Sequence, residues 1–237
     1  ETWILAADGV KITGAGMWYT KLQFTNSGMG SGGICGEKTG YCQGVEFCNM
    51  YINSNLHSRF DQQANYKCFR DLFAKGTSIH DVWEEHFECG FWIGRYDSNS
   101  INKESDLNIY NCRVRNNFAD GINFCQGTRD SNVHNCDIRN NGDDGLAMWN
   151  ATDFQPDDEY NNTFCYNTVE FIWRAGGIAV YGGEGHKVYN NYIRDTFTAA
   201  GIHMNTNFSG CQFNNTTKIE VANNVLVRTG TNKDSWN

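Results

Sequence analysis

Apolar residues recur along this chain at every second position in short runs, and the runs are cut at regular places by Asn, Asp and Gly. The clearest pair of segments is LNIYNCRVRNNFADGINF, from Leu107, and SNVHNCDIRNNGDDGLAMW, from Ser131, which align without a gap at a spacing of 24 residues. Weaker copies follow in FCYNTVEFIWRAGGIAVYG from Phe164 and KVYNNYIRDTFTAAGIHM from Lys187. Others stand at VEFCNMYINSNLHSRF from Val45, SIHDVWEEHFECGFWI from Ser78 and KIEVANNVLV from Lys218. Each holds an alternating run, a turn containing Asn or small residues, and a second run. A period near two predicts strands and excludes helical repeats, whose period is about 3.6. No Leu ladder supports a leucine-rich repeat. Repeats in the twenties, with longer insertions such as 152–160, mean a solenoid. The fold class predicted is therefore all-β, a right-handed parallel β-helix with coils of about 20–30 residues.

In such a solenoid like residues stack in columns, with neighbouring strands about 4.8 Å apart. Val114, Ile138 and Ile193 are predicted to form one inward aliphatic column, and Asn111 and Asn135 an Asn ladder at a turn. Cys112 and Cys136 should stack too, either as small buried residues or as a disulfide. Cys35 and Cys42, in a Gly-rich loop, are the pair best placed for a bridge.

Composition narrows the function. The 237 residues suffice for one large domain, and 25 Gly against 1 Pro fits a chain of many tight turns. A formal charge of −8 with no basic block disfavours nucleic acid, anionic membranes and polyanionic substrates. No run of about 18 apolar residues marks a membrane span. Ten cysteines without a zinc-type spacing, and sequons at Asn150, Asn161, Asn207, Asn214 and Asn215, favour a secreted protein. No signal peptide stands at Glu1, which reads as a mature form or an excised piece. Aromatic residues make up 14% of the chain and serve either the core or flat sugar faces.

The candidate chemistry lies in the acids of the two best-matched repeats, NNFADGI and NNGDDGL. Registration places Asp144 beside Asp120 on the neighbouring coil, while Asp143 takes the place of Ala119 and points elsewhere. Like charges this close raise one another's proton affinity, which a purely structural design would avoid. Carboxyl groups of unequal environment are the equipment of glycoside hydrolysis, where one donates a proton and another takes one from water. His186 in GGEGH, Arg174 and Trp173 in WRAGG, Trp149 closing the Asp143–Asp144 segment, and Trp92 ending an earlier coil are the candidate substrate-binding residues.

GAGMWYT, NMYINSNL, WEEHFECGFWIG, NNFADGINFCQGT, NNGDDGLAMW, NNTFCYNT, WRAGGIAVYGGEGHK and GIHMNT, in this order, resemble the catalytic β-helix of family 87 of the glycoside hydrolases. These are the α-1,3-glucanases (mutanases) and the related mycodextranase. The resemblance runs from about Ile12 to Asn207. It implies secreted, endo-acting hydrolysis of α-1,3-glucan with inversion, and its three essential acids carry over to Asp120, Asp143 and Asp144. A similar layout in pectin-degrading β-helices implies Asp143 as general acid, with Asp120 and Asp144 holding the attacking water. Family catalytic regions continue through more coils. The 1–237 segment thus reads as one β-helix domain from a longer solenoid, with a further chain or segment covering its open end. No cofactor is expected; the family setting admits a structural Ca²⁺, although no EF-hand-type loop is visible. The competing readings are a mycodextranase cutting α-1,4 bonds in nigeran, a pectinase-like hydrolase, which should carry more Lys and Arg near the acids, and a non-catalytic glycan-binding β-helix, which need not keep all three acids.

Overall fold

A computed structural model describes residues 2–25, 32–36, 42–59, 66–71, 73–94, 106–125, 127–153 and 158–232. Among these residues all regular structure is strand, and every pairing between strands is parallel. The alternation seen in the sequence becomes a parallel β-helix because the chain turns a corner wherever a residue adopts a left-handed backbone conformation. Asp106, Asp130, Asn161 and Gly185 make one column of such corners; Asn111, Asn135, Tyr166 and Asn190 make a second; Asn116, Asn140, Phe171 and Asp195 make a third. Asn, Asp and Gly tolerate this conformation best, which is why they punctuate the repeats.

Between the corners, strands stack into two large sheets. One has eight strands, running from Trp3–Leu5 through Ile122–Cys125, Leu146–Trp149 and Ile178–Tyr181 to Ile202–Met204. The other, of 14 strands, is two columns joined where the long strands Glu46–Asn53 and Ser78–Glu85 span a corner.

The predicted inward column is present. Val114 pairs with Ile138, Ile138 with Val169 and Val169 with Ile193, all fully buried. Phe91, Ile122, Leu146 and Ile178 form the corresponding column of the eight-stranded sheet. The predicted Asn ladder falls elsewhere: Asn111 and Asn135 are exposed corner residues. The amide ladders are made by the inward residue that follows a corner. Asn117 Nδ2 donates to Asn141 Oδ1 at 3.0 Å, Asn167 Nδ2 to Asn191 Oδ1 at 3.1 Å, and Asn191 Nδ2 to Asn224 Oδ1 at 2.9 Å. The left-handed corner turns the first Asn outward and the next inward, which alternation alone does not reveal.

The cysteines also depart from expectation. All ten are buried thiols outside any disulfide. Cys35 Sγ lies 2.7 Å from Asp71 Oδ2 and Cys42 Sγ 2.6 Å from the Leu5 carbonyl oxygen, so the predicted Cys35–Cys42 bridge is not formed. Cys112 and Cys136 stack as small buried residues, each donating to backbone carbonyls.

Candidate active site

The acids sit on the turn that leads into the eight-stranded sheet. Asp120 precedes the strand Ile122–Cys125, and Asp143 and Asp144 precede Leu146–Trp149. The glycine after each acidic position is enforced by close approach of the coils: a Cβ on Gly121 or Gly145 would lie 2.4 or 2.6 Å from the carbonyl oxygen of the next coil's glycine. Each carboxylate accepts the amide of its counterpart one coil on. Asp144 N–H donates to Asp120 Oδ1 at 3.1 Å, and Gly176 N–H donates to Asp144 Oδ1 at 2.8 Å. Asp144 and Asp120 are thus stacked neighbours, as registration predicts.

The remaining partners differ. Asn123 Nδ2 donates to Asp120 Oδ2 at 3.3 Å. Tyr181 O–H donates to Asp144 Oδ2 at 2.8 Å, and the same hydroxyl lies 2.9 Å from His203 Nε2. Asp143 turns the other way, where Arg59 Nη1 donates to its Oδ2 at 2.7 Å and Arg174 Nη2 donates to the same oxygen. One oxygen from each of the three acids falls within 4.8 Å of the others.

Burial and mutual repulsion keep protons in this cluster. Burial pushes Asp120 well above the ordinary carboxylate range, and the charges of Asp143 and Asp144 push it further. Burial, helped by Asp143, raises Asp144 to about 7, against the opposing hydrogen bond from Tyr181. Burial raises Asp143 too, but Arg59 opposes it. His203 is lowered by burial and stays a neutral partner for Tyr181. An oxygen-only set of this kind also suits a hard divalent cation such as Ca²⁺.

The acids open onto a pocket of about 350 Å³, walled by Trp92, Trp149, Tyr181 and Phe208 and edged by Arg59, Arg174, Asn123, His203, Asn205 and Asn207. Trp92 and Trp149 meet edge to face, with ring centroids 5.7 Å apart. Of the sequence-predicted substrate residues, Trp92, Trp149 and Arg174 line this pocket. Trp173 does not; its exposed ring lines a separate groove with Phe171 and Phe197. His186 is not at the site either. It is fully buried and continues the inward column that follows a corner, its Nδ1 accepting the Asn162 N–H at 3.2 Å. Burial lowers it to about 3, so it remains neutral. Its position in the ladder, beneath Asn162, explains the Gly-rich turn around it: a Cβ on Gly183 would lie 2.3 Å from His186 Nε2.

Sequence reasoning missed Tyr181, His203 and Arg59. The first two were within reach of the repeat register, since Tyr181 pairs with Trp149 and His203 with Ala179. Arg59 lies 84 residues before Asp143, after a strand of an earlier coil, and no pattern connects them.

Fold and site together define a parallel β-helix carrying a carboxylate triad in an aromatic-walled pocket. The chain belongs to the α-1,3-glucanase catalytic domain D2 family, whose model matches residues 2–232. The crystal structure of the Agl-KA catalytic domain is similar at 46% identity and a TM-score of 0.89, covering 95% of this chain and 40% of that one. A variant of a glycoside hydrolase family 87 α-1,3-glucanase, in complex with tetrasaccharides, is similar at 25% identity and a TM-score of 0.79, covering 96% of this chain and 39% of that one. The catalytic unit of the thermostable enzyme from Streptomyces thermodiastaticus strain HF3-3 shares the fold, at 24% identity and a TM-score of 0.70, covering 96% of this chain and 40% of that one. The chain thus spans about 40% of the length of the solved structures it resembles. No match was found among curated proteins.

Proposed function

We propose that this chain carries the catalytic acids of a secreted, endo-acting, inverting α-1,3-glucanase. The observation that carries the reading is the triad itself: three buried or half-buried carboxyls from consecutive coils, within 4.8 Å of one another, in a pocket walled by Trp rings. Family membership supports the reaction class. The linkage is supported by the relatives solved with nigerose and with tetrasaccharides. Secretion is supported by the exposed sequons at Asn161, Asn207 and Asn215, whereas the cysteines, being buried thiols, lend it nothing and Asn150 is buried.

In this reading Asp143 protonates the glycosidic oxygen, while Asp120 and Asp144 hold a water and take its proton, with no cofactor required. Arg59 and Arg174 stabilise the anion that Asp143 becomes after donation. They also oppose its protonation at rest, so the entering sugar must draw at least one guanidinium away. A second assignment is favoured by the same clamp and by the value of about 7 for Asp144: Asp144 as proton donor and Asp143 as base. Inversion rests on the family. The acids are closer than the about 6.5–9.5 Å usual between inverting carboxyls, so the attacking water would lie beside the pair and not between the two roles.

Asp143→Asn separates the assignments. With Asp143 as acid, it should lower glucan cleavage about 10²–10⁴-fold yet spare an aryl α-glucoside oligomer whose leaving group needs no proton. If Asp144→Asn shows that pattern and Asp143→Asn does not, the roles are exchanged.

A further inference from the structure

On the face of the 14-stranded sheet, one and two coils before the coil of Asp120, three side chains of different chemistry converge. Glu46 and Cys48 are two apart on the strand Glu46–Asn53 and so share a face, and His80 stands directly opposite Cys48 on the next strand. Their donor atoms lie within 4.8 Å of one another. His80 Nε2 is 3.2 Å from Glu46 Oε1, and Cys48 Sγ is 3.7 Å from the same oxygen. A tetrahedral ion with Zn–N and Zn–O bonds of about 2.0–2.1 Å and a Zn–S bond of about 2.3 Å has N···O and S···O edges of about 3.4 and 3.6 Å. The observed separations match those edges.

The surroundings fit as well. His80 Nδ1 lies 2.7 Å from Asp81 Oδ2, the carboxylate–histidine pairing that fixes Nε2 as the ligand atom. Asn49 Nδ2 donates to Cys48 Sγ at 3.3 Å and holds the sulfur on this face. His80 stacks flat on Tyr110, centroids 4.6 Å apart, and the ring is held in place. A cation already occupies the open side: Lys11 Nζ donates to Glu46 Oε1 at 2.7 Å from a side chain that is 57% exposed and can swing away.

We propose that Glu46, Cys48 and His80 form a binding site for a borderline-soft divalent metal ion of the Zn²⁺ type, with water as the fourth ligand. The mixed S, N, O donor set selects against Ca²⁺ and Mg²⁺. The ion would clip two consecutive coils together, and it is separate from the oxygen-only acid triad.

Titration with Co²⁺ tests this, because only a thiolate ligand gives a sulfur-to-metal charge-transfer absorption in the near ultraviolet. The whole chain should develop that band at one equivalent, and Zn²⁺ should abolish it. Cys48→Ala should lose the band while keeping the circular dichroism of the wild type, His80→Gln should weaken binding at least tenfold, and Lys11→Met should tighten it. Absence of the band at millimolar Co²⁺, or its persistence in Cys48→Ala, would overturn the assignment. Binding by the acid triad alone gives no such band and counts against the proposal.

Discussion

At the scale of single residues, the site is a set of acids held with more protons than their number of charges would suggest. Asp144 shows it best: it is stacked on Asp120, capped by the Gly176 amide and bonded by Tyr181. A carboxyl raised from 3.8 to about 7 by burial binds a proton in the folded state that the unfolded chain has lost. Its contribution to stability is complete below about pH 3.8 and is lost as the pH climbs through about 7. Asp144→Asn should therefore gain stability relative to the wild type as pH rises, by about 1–4 kcal/mol between roughly pH 4 and pH 8. Urea denaturation of both proteins across that range checks the slope; a parallel pair of curves contradicts it. Asp120, Asp143 and Asp144 were legible because repeat alignment turns sequence spacing into spatial contact. His186 was misread because a His after a Gly-rich turn looks alike in sequence whether it faces a pocket or fills a ladder position, as it does under Asn162.

At the scale of elements, the fold was legible because each structural device repeats. Alternation gave the strands, and Val114, Ile138 and Ile193 were correctly placed in one column. The ladder was displaced because consecutive asparagines, as in Asn116–Asn117 and Asn190–Asn191, divide two jobs: the first adopts the outward corner conformation and the second makes the inward amide ladder between coils. Asn191 accepts from the Asn167 backbone N–H and Nδ2, and donates to the Phe164 carbonyl oxygen and to Asn224. Asn191→Ala leaves several of these buried groups unpaired, at about 1–3 kcal/mol each. A loss of about 2–5 kcal/mol in thermal or urea unfolding is expected, with activity per folded molecule unchanged because the ladder lies outside the acid pocket. Asn223→Ala, by comparison, changes an exposed corner residue and should cost less.

At the scale of the whole molecule, coil stacking sets both the groove and its limits. The groove exists because Asp120, Asp144 and Gly176 succeed one another up the solenoid, while Trp92, Trp149 and Tyr181 rise beside them from the adjoining sheet. In the last described coil, Val221 and Leu226 continue inward columns through Val188 and Ile193 but are 42% and 45% exposed. The central claim, that the stacked acids hydrolyse α-1,3-glucan with inversion, is tested most directly by following the anomeric protons during digestion of α-1,3-glucan by NMR. The account predicts that the β-anomer of the new reducing end appears first, that dextran and polygalacturonate are untouched, and that Asp120→Asn, Asp143→Asn and Asp144→Asn each abolish the signal. First appearance of the α-anomer, or undiminished cleavage in any one of the three variants, would contradict it.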